Sequence, residues 1–374
     1  MINKIERRSP LSRRDISNYR FYKQYVTPYF KGRQVVEIAG HLVGLHAARL
    51  STPYVTLFAR LEGFRPADLR DALHIHNQLI KTRCMRKTLH ILPLPLVPVA
   101  HYATYAQRLS DVRVRHKALD LNNRNKQVGA YKQTITELLR HSPKSARAIC
   151  ESITSDEDEY PVVQAVIKDL WEEGILCYLN LSEYWYKEER VYGYTYDCYP
   201  EMRRPVLEVS EARASLIYKH ICAYGPVTEK DISWWSGIGI SEVRRIIHHY
   251  SSRLVTLNVE GFEPPLFMER EDYMRCTSQH IPPWTALLAY EDPSLKGYYN
   301  SRCLYVSNDN YPRLFNTIGE ARASLVCNGQ VIGIWSWDRK TKRVQTEYFT
   351  SLDRESVESI DQQIKQMELF LQSE

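Results

Sequence analysis

The sequence lacks the features that would assign several common functions directly. No apolar run reaches the roughly 18 residues that a membrane-spanning helix needs. Residues 1–8 are basic, but no apolar segment follows them, so a secretory signal is not expected. A glycine-rich phosphate loop and a Gly-x-Ser-x-Gly elbow are both missing. Their absence argues against P-loop nucleotide hydrolysis and α/β-hydrolase chemistry.

Metal-binding and disulfide patterns are also missing. None of the eight cysteines lies within four residues of another, so there is no Cys-x-x-Cys pair. His74 and His76, and the pair His248-His249, have no cysteine or carboxylate cluster beside them. We therefore expect neither a bound metal nor another cofactor. Scattered thiols in a chain of 374 residues are typical of a reducing cytoplasm.

Positive charge is concentrated near the N-terminus. Residues 1–132 hold 24 lysines and arginines against 8 aspartates and glutamates, whereas the remainder holds 26 against 36. A basic third of this kind favours a polyanionic partner such as nucleic acid. The alternative is a solvated face that only keeps the protein in solution. Arg13 and Arg14, in the basic N-terminal arm, are the first candidates for phosphate contacts.

The N-terminal third has the element order of a winged helix. Helical patterns cover residues 34–45 and 53–61, and a third follows Pro66. Two β-prone segments come next, at 79–85 and 87–92, with Thr88 and His90 on one face of the second. A connecting helix over residues 100–132 completes this predicted first module, residues 1–132.

Two further modules of the same order are predicted at residues 133–205 and 206–265. In the last helix of the third module, Val243, Ile246 and Ile247 face inward, so Arg244 and Arg245 must face outward. A basic outer face is what a DNA-recognition helix requires. A helix-turn-helix that serves only for packing between modules is the alternative. Three such modules in a row indicate a diverged internal repeat.

Residues 266–374 change character. Short β-prone runs at 286–290, 302–306, 323–327, 331–337 and 344–349 are separated by turn-forming residues, and Asn328-Gly329 is a strong hairpin signal. A final amphipathic helix follows. These patterns predict a β-barrel-like domain closed by a C-terminal helix, and with the three modules they give an α+β fold class.

One short stretch combines apolar flanks with polar chemistry. Apolar segments run into and out of residues 44–55, and between them lie one imidazole, His46, and one guanidinium, Arg49. A plain connection between helices would need neither group. As an alternative, His46 is a satisfied histidine at a helix end and Arg49 a surface charge.

Here the chain resembles the AlkZ/YcaQ-like winged-helix DNA glycosylases. That family carries Gln-x-Gln or Gln-x-Asp after a similar Gly-Leu, where this chain reads His46-Ala47-Ala48. The resemblance extends over nearly the whole chain through these further matches: Thr88-Leu89-His90, Asp292-Pro293, Leu295, Gly297-Tyr298, Arg302 and Gly333-Ile334-Trp335.

The resemblance implies a fold and an activity. Three tandem winged-helix modules would form a curved scaffold, with a C-terminal β-barrel-like domain, and its concave face would hold duplex DNA. The activity would be monofunctional hydrolysis of the N-glycosidic bond of alkylated purines, including bulky adducts and interstrand crosslinks. The implied partner is damaged double-stranded DNA, and the implied protein is a monomer in the cytoplasm, associated with the nucleoid.

The resemblance also assigns roles to individual residues. His46 is the catalytic candidate, because it stands where the first glutamine would be and an imidazole can orient or deprotonate water. Ala48 offers no polar atom, and Arg49, always cationic, suits a phosphate rather than a sugar cation. The other candidates for DNA contact are Arg13, Arg14, Arg83, Arg86, Thr88, His90, Arg244 and Arg245. The competing hypothesis is a non-catalytic winged-helix DNA binder, a regulator or damage sensor, which Ala48 favours.

Overall fold

The computed structural model describes residues 11–202 and 207–373. The chain has a mixed α/β fold and divides into two compact units. The first unit is discontinuous and contains the chain up to Arg65 and from Ala214 onward, and the second contains Pro66–Arg213. Within the described ranges, every helix is too short or too polar to cross a membrane.

The first unit begins with three helices and one very short strand. They are α1 (Arg13–Lys23), α2 (Val35–His41), β1 (Leu45–His46) and α3 (Ser51–Phe58). Helix α1 starts at a capping box in which Ser12 and Asp15 exchange hydrogen bonds, so two of its otherwise unpaired first-turn amides are satisfied. Its inner face is buried, including the Arg20 side chain, whose Nε donates to the Pro226 carbonyl at 2.9 Å.

The second unit holds two hairpins and the longest helices before the C-terminal region. Its elements are α4 (Pro66–His74), β2 (Leu79–Arg83), β3 (Leu89–Pro93), α5 (Val97–Ala118), α6 (Asn125–His141), α7 (Ala146–Ile153), α8 (Tyr160–Glu172), β4 (Leu176–Asn180), β5 (Arg190–Tyr194) and α9 (Thr195–Cys198). On α8, the residues Val163, Val166, Ile167 and Leu170 are fully buried in the core of this unit. Helices α6 to α8 followed by the β4–β5 hairpin repeat the order predicted from the sequence.

The chain then returns to the first unit and forms the same order again. The elements are α10 (Val209–Tyr224), α11 (Glu229–Ser236), α12 (Ile240–His249), β6 (Leu254–Val259), β7 (Phe262–Glu269) and α13 (Arg270–Ser278). Thr228 and Asp231 form a capping box at the start of α11. In α12 the residues Val243, Ile246 and Ile247 are buried, as their spacing predicts.

The C-terminal region is an antiparallel sheet with a long helix. Its elements are β8 (Thr285–Leu288), α14 (Pro293–Lys296), α15 (Tyr311–Leu314), β9 (Ser324–Cys327), β10 (Gln330–Asp338), β11 (Arg343–Tyr348) and α16 (Arg354–Gln372). The strand order is β11-β10-β9-β8. Asn328 and Gly329 form the predicted turn between β9 and β10, both with positive φ. These four strands form an open sheet, so the expected barrel-like closure is not seen among the described residues.

One predicted strand of this region is wrong. Residues 302–306 begin with a short 3-10 helix, Arg302–Leu304, instead of a strand. The Asp231 carboxylate accepts hydrogen bonds from the backbone amides of Tyr299, Asn300 and Ser301, at 2.7, 2.7 and 3.2 Å. Because these amides converge on one oxygen, the chain turns tightly just before residue 302 and cannot continue as a strand.

A buried ion pair joins the two chain segments of the first unit. The Arg60 guanidinium, which follows α3, donates to both Asp292 oxygens at 2.7 and 2.9 Å, and neither side chain is exposed. It also donates to the Gln24 carbonyl and to Ser294 Oγ. Such bidentate, fully hydrogen-bonded geometry is what a buried ion pair needs to offset its desolvation.

Removing one partner of this pair should strongly destabilise the protein. In Arg60→Met the Asp292 carboxylate stays buried without its cation, so we expect a loss of about 3–5 kcal/mol in the free energy of unfolding. Chemical denaturation of the purified variant measures it. The control is Arg354→Met, whose pair with Glu358 is exposed and should shift the midpoint little. Equal effects of the two substitutions would contradict the structural role of the pair.

Candidate active site

His46 is held at a sharp turn at the end of a helix. The chain leaves α2 through Val43 and Gly44, which have φ of 54° and 108°, and the Gly44 amide donates back to the Ala39 carbonyl at 2.8 Å. Glycine accepts such a backbone without steric cost. His46 then lies in β1 with only 8% of its surface exposed, whereas Ala48 and Arg49 are exposed.

A buried carboxylate lies next to this imidazole. Glu291 Oε2 is 4.0 Å from His46 Nε2 and 3.0 Å from Lys296 Nζ, and the Glu291 side chain is 6% exposed. Its other oxygen accepts the Ala321 amide at 2.6 Å. Glu291 also has φ of 59°, a left-handed backbone that is costly for a non-glycine residue and is often found at functional sites.

The surroundings of Glu291 shift its proton affinity. Burial raises the pKa of Glu291 above its ordinary value, and the nearby Glu320 acts in the same direction. The Lys296 ammonium and the Ala321 amide oppose this rise in pKa, because both favour the ionised form. The carboxylate is therefore a stronger proton acceptor than an exposed glutamate, yet it has a cation beside it.

Arg49 lies over the residue that precedes Glu291. Its guanidinium carbon is 3.6 Å from the centroid of the Tyr290 ring, a cation–π contact. The Tyr290 hydroxyl donates to Glu320, and burial raises the pKa of Tyr290 to about 12. Thr52 Oγ1 donates to the Tyr290 carbonyl at 2.8 Å. These contacts fix the backbone on the N-terminal side of Glu291 and hold the Arg49 cation over the Tyr290 ring.

An aromatic pair lies next to Lys296. Trp234 and Tyr299 stack with ring centroids 5.7 Å apart and planes 12° apart, and Tyr299 is 51% exposed. Lys296 Nζ is 5.1 Å from the Trp234 ring. The sequence pattern indicates His46 and Arg49 but not Glu291, Lys296 or this pair. The signals near them are the matches at Asp292-Pro293, which directly follows Glu291, and at Leu295 and Gly297-Tyr298, which flank Lys296.

Comparison with known proteins identifies the family. The family model described as "DNA glycosylase AlkZ-like" matches residues 39–370. The chain belongs to the AlkZ-like DNA glycosylase family. It is therefore a DNA-repair glycosylase-like enzyme with DNA as its substrate, as predicted. A solved structure of Streptomyces sahachiroi DNA glycosylase AlkZ is similar in fold, with a TM-score of 0.76, 18% identity and 95% of each chain covered. No curated protein matches the chain by sequence.

In this AlkZ-like protein the predicted DNA-contacting residues of the first hairpin already have partners within the second unit. Arg83 pairs with Glu172 at 2.5 Å and also with Asp111, so its charge is largely compensated. Thr88 Oγ1 donates to the Met85 carbonyl, and Arg86, with φ of 51°, lies in the turn between β2 and β3.

His90, on β3, is buried. Its Nδ1 lies 3.2 Å from the Thr88 carbonyl, and burial lowers the pKa of His90 to about 4. A group with this pKa is neutral at physiological pH, so His90 contributes no positive charge to a phosphate contact.

The other predicted DNA-contacting residues are exposed in the first unit. Arg244 and Arg245 lie on the outer side of α12, as predicted, and each pairs with a carboxylate, Glu229 and Glu242 respectively, at 2.8 Å. Arg13 and Arg14 are exposed in the first turn of α1. Within the described ranges, the histidines, cysteines and carboxylates do not form any group of three that could hold a metal ion.

These differences in pairing predict different contributions to the salt dependence of DNA binding. Replacing both Arg13 and Arg14 by alanine should reduce the slope of log affinity against log salt by about 0.9 for each phosphate that these arginines neutralise. Arg83→Ala should change the slope less, because Asp111 and Glu172 already neutralise that guanidinium. Fluorescence anisotropy with a labelled duplex over a salt series measures both. A larger change for Arg83→Ala would place the phosphate contacts on the first hairpin instead.

Proposed function

We propose that this protein binds damaged duplex DNA and hydrolyses the N-glycosidic bond of alkylated purines, interstrand-crosslinked ones included, without a metal or another cofactor. The observation that carries the proposal is the position of His46. It stands where the family has its Gln-x-Gln or Gln-x-Asp motif, and it is buried with its Nε2 4.0 Å from a buried carboxylate oxygen.

The positive charge of the substrate base determines what the His46 imidazole must do. An alkylated purine carries a positive charge and departs readily, so the enzyme must orient a water and stabilise an oxocarbenium-like sugar. His46 orients the water. The exposed methyl group of Ala48 cannot do so, and the Arg49 cation would repel the sugar cation, so Arg49 serves a phosphate instead.

The proposed scaffold has three winged-helix modules, at residues 1–132, 133–205 and 206–265, followed by a sheet domain at 266–374. Support comes from the repeated order of helices and hairpins in α6 to β5 and α10 to β7. The outward arginines of α12 and those at the start of α1 would contact the DNA backbone, together with Arg49. The proposal further takes the protein as a cytoplasmic, nucleoid-associated monomer.

Substitution of His46 tests the proposed reaction. His46→Ala should lower the single-turnover excision rate by a factor on the order of 100, the scale of one positioned acid–base group. Duplex affinity should barely change, since a single buried imidazole adds little to phosphate binding. The assay uses duplexes carrying N7-methylguanine, N3-methyladenine or a nitrogen-mustard crosslink, and scores abasic sites by cleavage in alkali.

Two further variants sharpen this test. His41→Ala, in the helix just before His46, removes an imidazole that packs against Tyr25 and should leave excision nearly unchanged. His46→Gln combined with Ala48→Gln restores the family pattern and should preserve or raise the rate. If the wild-type protein binds these duplexes, releases no base and does not need His46, the protein is a DNA binder without catalysis, which is the hypothesis that Ala48 favours.

A further inference from the structure

We propose that Glu291 is the general base of the excision reaction and that it holds the attacking water together with His46. Glu291 thereby supplies the polar group that Ala48 lacks. The inference rests on the proposed glycosylase function and adds a catalytic residue from the C-terminal half of the chain, outside the family's short motif.

The distance between the two side chains suits a shared water. At 4.0 Å, His46 Nε2 and Glu291 Oε2 are too far apart for a direct hydrogen bond. One water oxygen can lie at about 2.8 Å from both atoms at once, which is an ordinary hydrogen-bond distance. A water held by both groups has its proton directed at the carboxylate and a lone pair available for the sugar carbon.

The contacts of Glu291 leave one oxygen for this task. Oε1 accepts the Ala321 amide at 2.6 Å, which fixes the orientation of the carboxylate. Oε2 faces Lys296 at 3.0 Å and His46 at 4.0 Å. The Lys296 ammonium keeps the carboxylate ionised in a buried environment. It also donates to the Gly319 carbonyl, which holds it in place.

The carboxylate beside it, Glu320, provides a contrast. Glu320 accepts from the Tyr290 hydroxyl and from the Asn316 amide, and the Tyr290 hydrogen bond holds the pKa of Glu320 below its usual range. Glu320 is therefore a weaker base than an ordinary glutamate. Glu291 has the opposite character, because its burial favours uptake of a proton.

The proposed reaction is hydrolysis of the bond between the sugar and the purine. The water oxygen bonds to C1′ of the sugar while the bond from C1′ to the purine nitrogen breaks. The electron pair of that bond goes to the cationic purine, which leaves as a neutral base. The water proton passes to Glu291 Oε2. The negative charge of the carboxylate also stabilises the developing sugar cation, an effect that is strong where water is excluded.

The first test compares two isosteric substitutions. Glu291→Gln should lower single-turnover excision on the order of 100-fold and leave duplex affinity and fold unchanged, as checked by anisotropy and circular dichroism. Glu320→Gln removes a neighbouring carboxylate that is not the base, so it should lower the rate far less than Glu291→Gln does. A Glu291→Gln protein that excises as fast as Glu320→Gln would overturn the proposal, while an active wild type would leave the glycosylase function standing.

The pH profile separates a base from a merely structural carboxylate. A base must be ionised, so the wild-type rate should fall as pH drops through a pKa above the ordinary value for glutamate, which is about 4.3. Lys296, His46 and Glu320 are the charged and titratable groups that face it. Lys296→Met should shift this fall in rate to higher pH, because it removes the cation that lowers the Glu291 pKa.

If Glu291→Gln folds poorly, further variants test which residue is the general base. Glu291→Asp retains a carboxylate on a shorter side chain, so it should be slower than the wild type and its rate should still fall at low pH. His46→Ala should also be slower, and its rate should fall at the same pH as that of the wild type. If the fall at low pH disappears in His46→Ala and does not move in Lys296→Met, His46 is the base and the proposal is wrong. If the wild type excises nothing, both this inference and the proposed function fail.

Discussion

The buried pair of Arg60 and Asp292 is the interaction on which the site geometry depends. Arg60 follows α3, the helix that comes directly after the His46 strand, and Asp292 directly follows Glu291. On the other flank of Glu291, Thr52 of α3 holds the Tyr290 carbonyl. Both neighbours of Glu291 are thus tied to α3 or to Arg60 just after it, which fixes the turn that carries Glu291 relative to His46.

The same segment is anchored at several further points by residues distant in sequence. Arg20 of α1 reaches Ser301, and Gln24 reaches the hydroxyl of Tyr298, which itself donates to the Tyr224 carbonyl. Asp292, Tyr298 and Arg302 were matched to the family by sequence. In the structure they are buried and hydrogen-bonded. Their contacts explain these matches as parts of the framework that presents Glu291 and Lys296.

Local signals in the sequence were sufficient for much of the fold. The spacing of apolar residues predicted α12, and Asn328-Gly329 predicted its hairpin, because both depend on neighbours in the chain. Long-range contacts decided the rest. Residues 302–306 have strand-like composition, but Asp231 bends the chain before them. In the sequence Glu291 resembles any acidic turn residue, and nothing local reveals that His46 and Lys296 face it. Whether a sheet closes into a barrel likewise depends on pairing between its edge strands, which the sequence of a single strand does not specify.

The discontinuous first unit has a consequence for synthesis on the ribosome. Its N-terminal segment, up to Arg65, finds its buried partners only after Ala214 and the segments beyond it have emerged. Translation of the intervening roughly 150 residues takes on the order of 10 s at ordinary elongation rates. During that time the apolar faces of α1 to α3 lack their native cover, and Pro66–Arg213 is synthesised completely before they gain it. The nascent chain is therefore most exposed to aggregation and most dependent on chaperones before its C-terminal half appears.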